Sequence, residues 1–374
     1  MTTESLGLYI HIPFCLKKCR YCDFCSSPSF GTEARERYIE RLTEEIGTYR
    51  AAGKLPVDTV FFGGGTPSLL TPRETEKILS ALAETFAVSP DAEISVEANP
   101  KTVTREKLSE YRRLGINRIS IGLQSINKNE QKILGRIHNA DDFYRAVQDA
   151  ASAGFGNFNV DVMYGIPAQT EESFARTLNA VLSVHPTHVS AYSLILEKGT
   201  PLYKERRTLP LPTEDEEMRM VDLLEEKLVG AGIFRYEISN YAKAGYACRH
   251  NLKYWRGEDY IGVGMAAASC FRGVRYVNTT KRDEYFSDSY AQYRQTDTLT
   301  EADRRFEYVM LRLRLCEGFS LADYRERFGT DFRSGREEKL EELKNGGYMK
   351  EEDGRLFLTT AGLYVSNTIL SQIL

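Results

Sequence analysis

The sequence predicts an α/β protein. It should form a partial (β/α)6 barrel, an open crescent of parallel strands with helices outside, followed by a C-terminal α/β extension and a small winged-helix-like tail. Three observations lead there. Six short, apolar, β-rich runs recur in the first two hundred residues. Segments with helical periodicity separate them. Beyond residue 300 the pattern changes to helices followed by a hairpin.

The six strands are expected at Leu8–Ile12, Val57–Phe62, Glu93–Glu97, Arg118–Gly122, Asn157–Met163 and His188–Leu194. Helical spacing covers Glu33–Tyr49, Pro72–Phe86, Arg105–Leu114, Asp141–Ala153 and Glu171–Leu182, and Glu130–Leu134 adds a short helix in the fourth gap. Such alternation gives a parallel sheet with helices outside. Six units are too few for a closed eight-fold barrel. Glu214–Val229 predicts a helix and Tyr236–Ser239 a further strand. Asn251–Cys270, dense in aromatic residues and glycine, shows no clean period. Ala302–Leu315, Leu321–Phe328 and Arg336–Asn345 predict helices, and Tyr348–Thr359 predicts a hairpin turning at Asp353-Gly354. Two prolines in Leu209–Pro212 mark a boundary, so the expected units are 1–210, 211–300 and 301–374.

Composition narrows the function classes. The chain has 374 residues and a net charge of −4, with no basic block, which argues against nucleic acid as a main partner. The N-terminus shows no basic segment leading into an apolar run, so no signal peptide is expected. No apolar stretch reaches the roughly 18 residues of a membrane span. A soluble, cytoplasmic protein is expected. Of seven cysteines, four fall between Cys15 and Cys25. A cytosolic chain does not use such a group as a disulfide framework, and metal binding is the better reading.

Cys15-x3-Cys19-x2-Cys22 follows the first strand directly. Thiolates are the soft ligands that iron–sulfur clusters require. Three of them on a tight loop can hold three irons of a [4Fe-4S] cubane, leaving the fourth iron open. The amino and carboxylate groups of S-adenosylmethionine (SAM) can chelate that iron, and an electron from the cluster can then break a carbon–sulfur bond. The alternative, a zinc knuckle, wants a second ligand pair at a distance, and none is obvious. With His11, Phe14 and Tyr21 around it, the window resembles the radical SAM superfamily signature.

Polar residues at the strand ends add to this. Gly63-Gly64-Gly65-Thr66-Pro67 follows the second strand, and consecutive glycines let backbone approach a ligand or simply make a tight turn. Glu97 ends the third strand, Gln124 follows the fourth, Arg136 lies beyond it and Asp161 sits on the fifth. Singly, each could be a surface or capping residue. As a set, gathered at strand C-terminal ends, they read as a cofactor cage.

Longer stretches support a family resemblance over nearly the whole chain. Tyr9–Cys15, Gly63–Pro67, Arg118–Ser125 and Leu134–His138 resemble the oxygen-independent coproporphyrinogen III oxidase family. Arg249–Trp255 is similar to the His-Asn-x-x-Tyr-Trp motif of that family's heme chaperone branch. The resemblance implies that Cys15, Cys19 and Cys22 bind the cluster. It implies SAM contacts at Tyr9, Tyr21, Gly64, Gly65, Thr66, Glu97, Gln124, Arg136 and Asp161, where Arg136 can pair with the SAM carboxylate. One departure matters. The oxidases carry a further cysteine two residues after the third cluster cysteine, and here that position is Phe24. Cys25, one residue later, reads as a core bystander, a spare thiol or an occasional ligand.

His250 is the motif's candidate axial ligand for heme iron, with Tyr254 and Trp255 as flat surface against a porphyrin. The bland alternative is a packed corner in which His250 and Asn251 satisfy buried backbone. Cys248 could compete as ligand, and His188 reads as core or polar lining. The implied function is a heme chaperone that passes heme to apo-hemoproteins, among them respiratory enzymes. Peripheral membrane contact and a homodimer fit that role. The alternative is oxidative decarboxylation of coproporphyrinogen III. A third reading is a radical SAM methyltransferase or ring-opening enzyme acting on heme. Phe24 and the His250–Trp255 motif favour the chaperone. The tail would cover the open barrel or present a partner surface.

Overall fold

The structure is a computed structural model and describes residues 5–374. Its first half alternates strands and helices: β1 (Leu6–Ile12), α1 (Thr32–Thr48), β2 (Pro56–Gly64), α2 (Pro72–Thr85), β3 (Ala87–Ala98), α3 (Arg105–Arg113), β4 (Arg118–Gln124), α4 (Lys128–Leu134), α5 (Ala140–Ser152), β5 (Asn157–Tyr164), α6 (Glu171–Leu182) and β6 (His188–Ser193). The local chemistry of the helix starts is explicit. Thr71, Asn139 and Thr170 each close a capping box at the start of α2, α5 and α6, and Pro72 occupies the first turn of α2. Strand β4 is buried at every position, as expected of a parallel strand covered on both faces.

The next stretch holds α7 (Pro201–Glu205), α8 (Glu214–Gly230), β7 (Phe234–Arg235), β8 (Asn240–Ala242), α9 (Arg249–Arg256), β9 (Tyr260–Val263), β10 (Ala268–Phe271), β11 (Val274–Val277), α10 (Arg282–Tyr285) and β12 (Gln295–Thr298). All twelve strands named so far form one sheet, in the order β12-β11-β10-β9-β1-β2-β3-β4-β5-β6-β8-β7. β1 to β6 run parallel, and β9 adds a further parallel strand beside β1. β6 pairs with β8 and not with β1, so the sheet stays open. It is nevertheless curled, because residues of β2 and β6 line the same cavity.

Two stretches differ from the sequence reading. Tyr236–Ser239 is not a strand but the connector between β7 and β8, closed by a hydrogen bond from Tyr236 N to Asn240 O of 3.0 Å. Its apolar alternation misleads, because Glu237 is the buried residue, accepting from Ser239 N, while Ile238 is half-buried. Asn251–Cys270, without a period in the sequence, divides among α9, β9 and β10. Elements that short offer no period to detect.

The tail comprises α11 (Glu301–Arg312), β13 (Phe319–Ser320), α12 (Leu321–Phe328), α13 (Glu337–Asn345), β14 (Met349–Glu352), β15 (Arg355–Leu358), α14 (Thr360–Tyr364) and α15 (Ser366–Ile373). A three-stranded sheet, β13-β15-β14, packs with its helices around its own core of Val309, Phe319, Phe332 and Leu356. Asp353 and Gly354 turn the hairpin with φ of 50° and 71°, the positive angles of a type I′ turn.

Candidate functional site

A cavity of about 400 Å³ lies at the C-terminal ends of the parallel strands. Its rim is the loop after β1. That loop is pinned at its neck, where Cys15 N donates to Ser27 O at 3.1 Å and Ser27 N to Pro13 O at 2.9 Å. Its far side is tied down by Arg20, whose backbone N donates to Leu134 O at 2.9 Å and whose side chain pairs with Glu205. Cys15, Cys19 and Cys22 all line the cavity. Arg136 Nη1 lies 3.4 Å from Cys19 Sγ, and Thr66 Oγ1 lies 3.8 Å from Cys15 Sγ. Such donors to sulfur suit thiolate ligands, whose redox potential they tune. Among the described residues no three His, Cys, Asp or Glu side chains close on a single ion. The three thiols line one space instead.

The wall facing the thiols comes from strand ends. Gly65 N donates to Ile12 O at 2.8 Å and Thr66 N to Phe14 O at 2.7 Å, stitching the glycine loop to the start of the cysteine loop. A Cβ at Gly65 would stand 2.6 Å from Phe14 O, so only glycine permits this approach. Glu97 accepts from Gly64 N at 3.1 Å. Burial, and then the charge of Asp161, pushes the Glu97 carboxyl up to about 8. Burial also raises Asp161, which accepts from Asn159 Nδ2 at 2.6 Å and from Ser120 Oγ at 3.2 Å. Gln124 takes a φ of 69°, in the left-handed region, and its Oε1 is buried without a partner. Arg136 Nη2 donates to Gly122 O, while its Nε is also unpartnered. Two reluctant carboxyls and two orphaned polar atoms around one space are what a ligand with an ammonium, a carboxylate and hydroxyls would satisfy. The residues therefore fit a cluster and SAM.

Of the expected site residues, the cavity gathers Cys15, Cys19, Cys22, Tyr21, Gly64, Gly65, Thr66, Glu97, Gln124, Arg136 and Asp161. Tyr9 stands behind Gly63, its hydroxyl 3.1 Å from His11 Nδ1. Cys25 faces away, with Sγ 3.7 Å from Thr280 O, and its carbonyl accepts from His11 Nε2. Phe24 stands 59% exposed at the cavity mouth. The sequence reading missed Ser120, Asn159, Ser190 and Arg118 as lining. The signal was available: 118, 120, 122 and 124 on β4, and 159, 161 and 163 on β5, alternate onto one face.

His250 is placed elsewhere, and as placed it does not fit a heme ligand. It lies on α9, against the N-terminal ends of β1 and β2, and is 1% exposed. Its Nδ1 is 2.9 Å from Thr59 Oγ1 and its Nε2 2.8 Å from Tyr254 OH, so neither ring nitrogen is free for iron. Burial, and then Lys253, pushes its imidazole down to about 3. Tyr254 packs edge-on against Tyr260, and the Arg314 guanidinium lies over Trp255. Cys248 is buried beside Glu93 at 3.5 Å, and burial pushes its thiol up to about 12, which disfavours a thiolate ligand. His188 is core and does not line the cavity, bridging Asn159 Oδ1 at 2.6 Å and Tyr236 OH at 2.8 Å.

Known proteins resemble the chain along nearly its whole length. Residues 9–181 match the Radical SAM superfamily, and residues 299–365 match the HemN C-terminal domain. The heme chaperone HemW of Escherichia coli (strain K12) is 37% identical, over 95% of this chain and 96% of that protein. The heme chaperone HemW of Bacillus subtilis (strain 168) is 33% identical, over 98% of each. The chain belongs to the HemW family. Similarity at that level over the full length covers the cysteine loop, the sheet, α9 and the tail together. Among solved structures, the coproporphyrinogen III oxidase HemN from Escherichia coli, a radical SAM enzyme, superposes with a TM-score of 0.84 over 99% of this chain and 90% of that one. At 23% identity, that likeness shows that this HemW-family chain has the same fold.

Proposed function

We propose that this protein is a heme chaperone that binds heme, holds a SAM-coordinating [4Fe-4S] cluster, and delivers heme to apo-hemoproteins. The single observation behind this reading is full-length similarity, at 33% and 37% identity, to proteins named heme chaperone HemW. The cavity supports the cofactor half of it. Cys15, Cys19 and Cys22 would hold the cluster, which together with SAM would supply a one-electron cleavage of a carbon–sulfur bond. Arg136 orients the SAM carboxylate and shields Cys19. Glu97 and Asp161 receive the ligand's donors, and the glycine loop brings backbone against it.

No helix of the described chain is long and apolar enough to cross a membrane. We place the protein in the cytoplasm, with peripheral contact at the inner membrane face where respiratory apo-proteins would receive heme, and working as a homodimer. The test is heme transfer. Anaerobically reconstituted protein loaded with heme should restore a heme-free hemoprotein, followed by the acceptor's Soret band, and should leave coproporphyrinogen III unchanged. Failure to transfer heme, with consumption of coproporphyrinogen and SAM, would replace the chaperone with the oxidase.

A further inference from the structure

The residue after His250 occupies a different environment. Asn251 lines the cavity that also holds the three thiols, on its deep side. Its carboxamide has no hydrogen-bond partner among the described residues. A carboxamide offers one acceptor and two donors, and a half-buried one left unused beside a ligand cavity is available to a ligand.

The helix that presents it is fixed from every side. Glu93, at the start of the inner part of β3, accepts from Arg249 N and His250 N, each at 3.2 Å, satisfying two free donors of the α9 N-terminus. Lys253 ties the helix to Asp58 and Glu258, each at 2.9 Å, and to Ser5 O at 2.8 Å. A Cβ on Gly7 would come within 3.0 Å of Lys253 and 3.3 Å of His250, so α9 lies directly on β1. The His250 ring is clamped between Thr59 and Tyr254 and stacks on Phe61 with centroids 5.3 Å apart. Phe61 is itself a cavity residue. The clamp on His250 therefore sets both the height of α9 and the position of one cavity wall.

We propose that Asn251 is a floor contact for SAM in the cluster cavity, and that His250 and Tyr254 are positioning residues that hold it there. The inference rests on the cofactor reading above. It requires no movement of α9.

The experiment uses full-length, anaerobically reconstituted protein and SAM itself. SAM affinity is measured by calorimetry and by the change in the reduced cluster's EPR signal, with iron and sulfide content as the loading control. Asn251→Ala should weaken SAM binding by about tenfold, the effect of one or two lost hydrogen bonds, at wild-type iron content. Asn251→Gln, which keeps the group but displaces it, should fall between. Tyr254→Phe removes only the hydroxyl that fixes His250, and should weaken SAM by about threefold while melting within a few degrees of wild type. If His250→Ala does not fold, Tyr254→Phe still tests the clamp. SAM affinity in Asn251→Ala within twofold of wild type overturns the proposal and leaves the cofactor reading standing. Wild-type protein that carries cluster but shows no SAM response refutes that reading and the proposal with it.

Discussion

Replacing Glu97 by glutamine should make the cluster-free protein more stable and a poorer SAM binder. The carboxyl moves from an ordinary 4.5 to about 8 because it is buried beside Asp161. A carboxyl raised in the folded state binds its proton more tightly there than in the unfolded chain. Stability is then highest below pH 4.5 and is lost as pH rises toward 8. At pH 7 the cost is roughly 1.36 kcal/mol for each of the 2.5 units above 4.5, or about 3 kcal/mol. At pH 5 it is below about 1 kcal/mol by the same relation. Glutamine carries no charge and keeps an acceptor for Gly64 N. Glu97→Gln should therefore raise the melting temperature by up to about 4 °C at pH 7, for a chain of this length, and by little at pH 5. The assay is thermal unfolding of chelator-treated protein at both pH values, with SAM titration of the reconstituted variant. A variant less stable than wild type at pH 7, or a difference equal at both pH values, would refute the account of a reluctantly ionised Glu97.

Three further outcomes follow from named contacts. Cys19→Ser should lose the brown chromophore and most of its iron and sulfide, whereas Cys25→Ser should keep both, because Cys25 faces Thr280 and not the cavity; iron and sulfide assays separate them. Gly65→Ala must push Phe14 O away from 2.6 Å, so it should cost about 1–3 kcal/mol and lower cluster loading, read by denaturant unfolding and iron content. His250→Ala strips partners from Thr59 and Tyr254 and a ring from Phe61, so the cluster-free chain should lose about 2–4 kcal/mol in the same unfolding assay. Unchanged stability there would show that the ring is not clamped.

The parallel strands were legible because they are long, apolar and separated by helices with their own caps, as at Thr71-Pro72-Arg73-Glu74. The cysteine loop was legible because thiolate chemistry tolerates few other readings of that spacing. What escaped depends on contacts distant in the chain. Whether His250 faces solvent or core is decided by Thr59, 191 residues earlier, and no local pattern reports that. Ser120 and Asn159 needed the period-two reading extended from the apolar face of each strand to its polar face. Tyr236–Ser239 failed because a buried Glu237 inverted the alternation on which a strand is recognised.

Fold likeness to a coproporphyrinogen oxidase and membership in a chaperone family are compatible, because function resides in sites rather than in the scaffold. The shared part is the fold. Any difference in chemistry must then arise where the cavity meets what lies outside it. One such place is the mouth, where an exposed Phe24 stands in the position that the oxidase resemblance gives to cysteine. An exposed aromatic ring offers stacking surface and no proton or thiolate, which suits holding a flat apolar ligand better than reacting with one. The other place is the floor, where Glu93, Lys253 and the Thr59–His250–Tyr254 chain hold α9 rigidly in place. A floor held by these contacts keeps Asn251 in place at the cavity wall. A heme variant in this motif is therefore interpretable only alongside SAM affinity and stability, since α9 borders the cavity and seals the sheet at once.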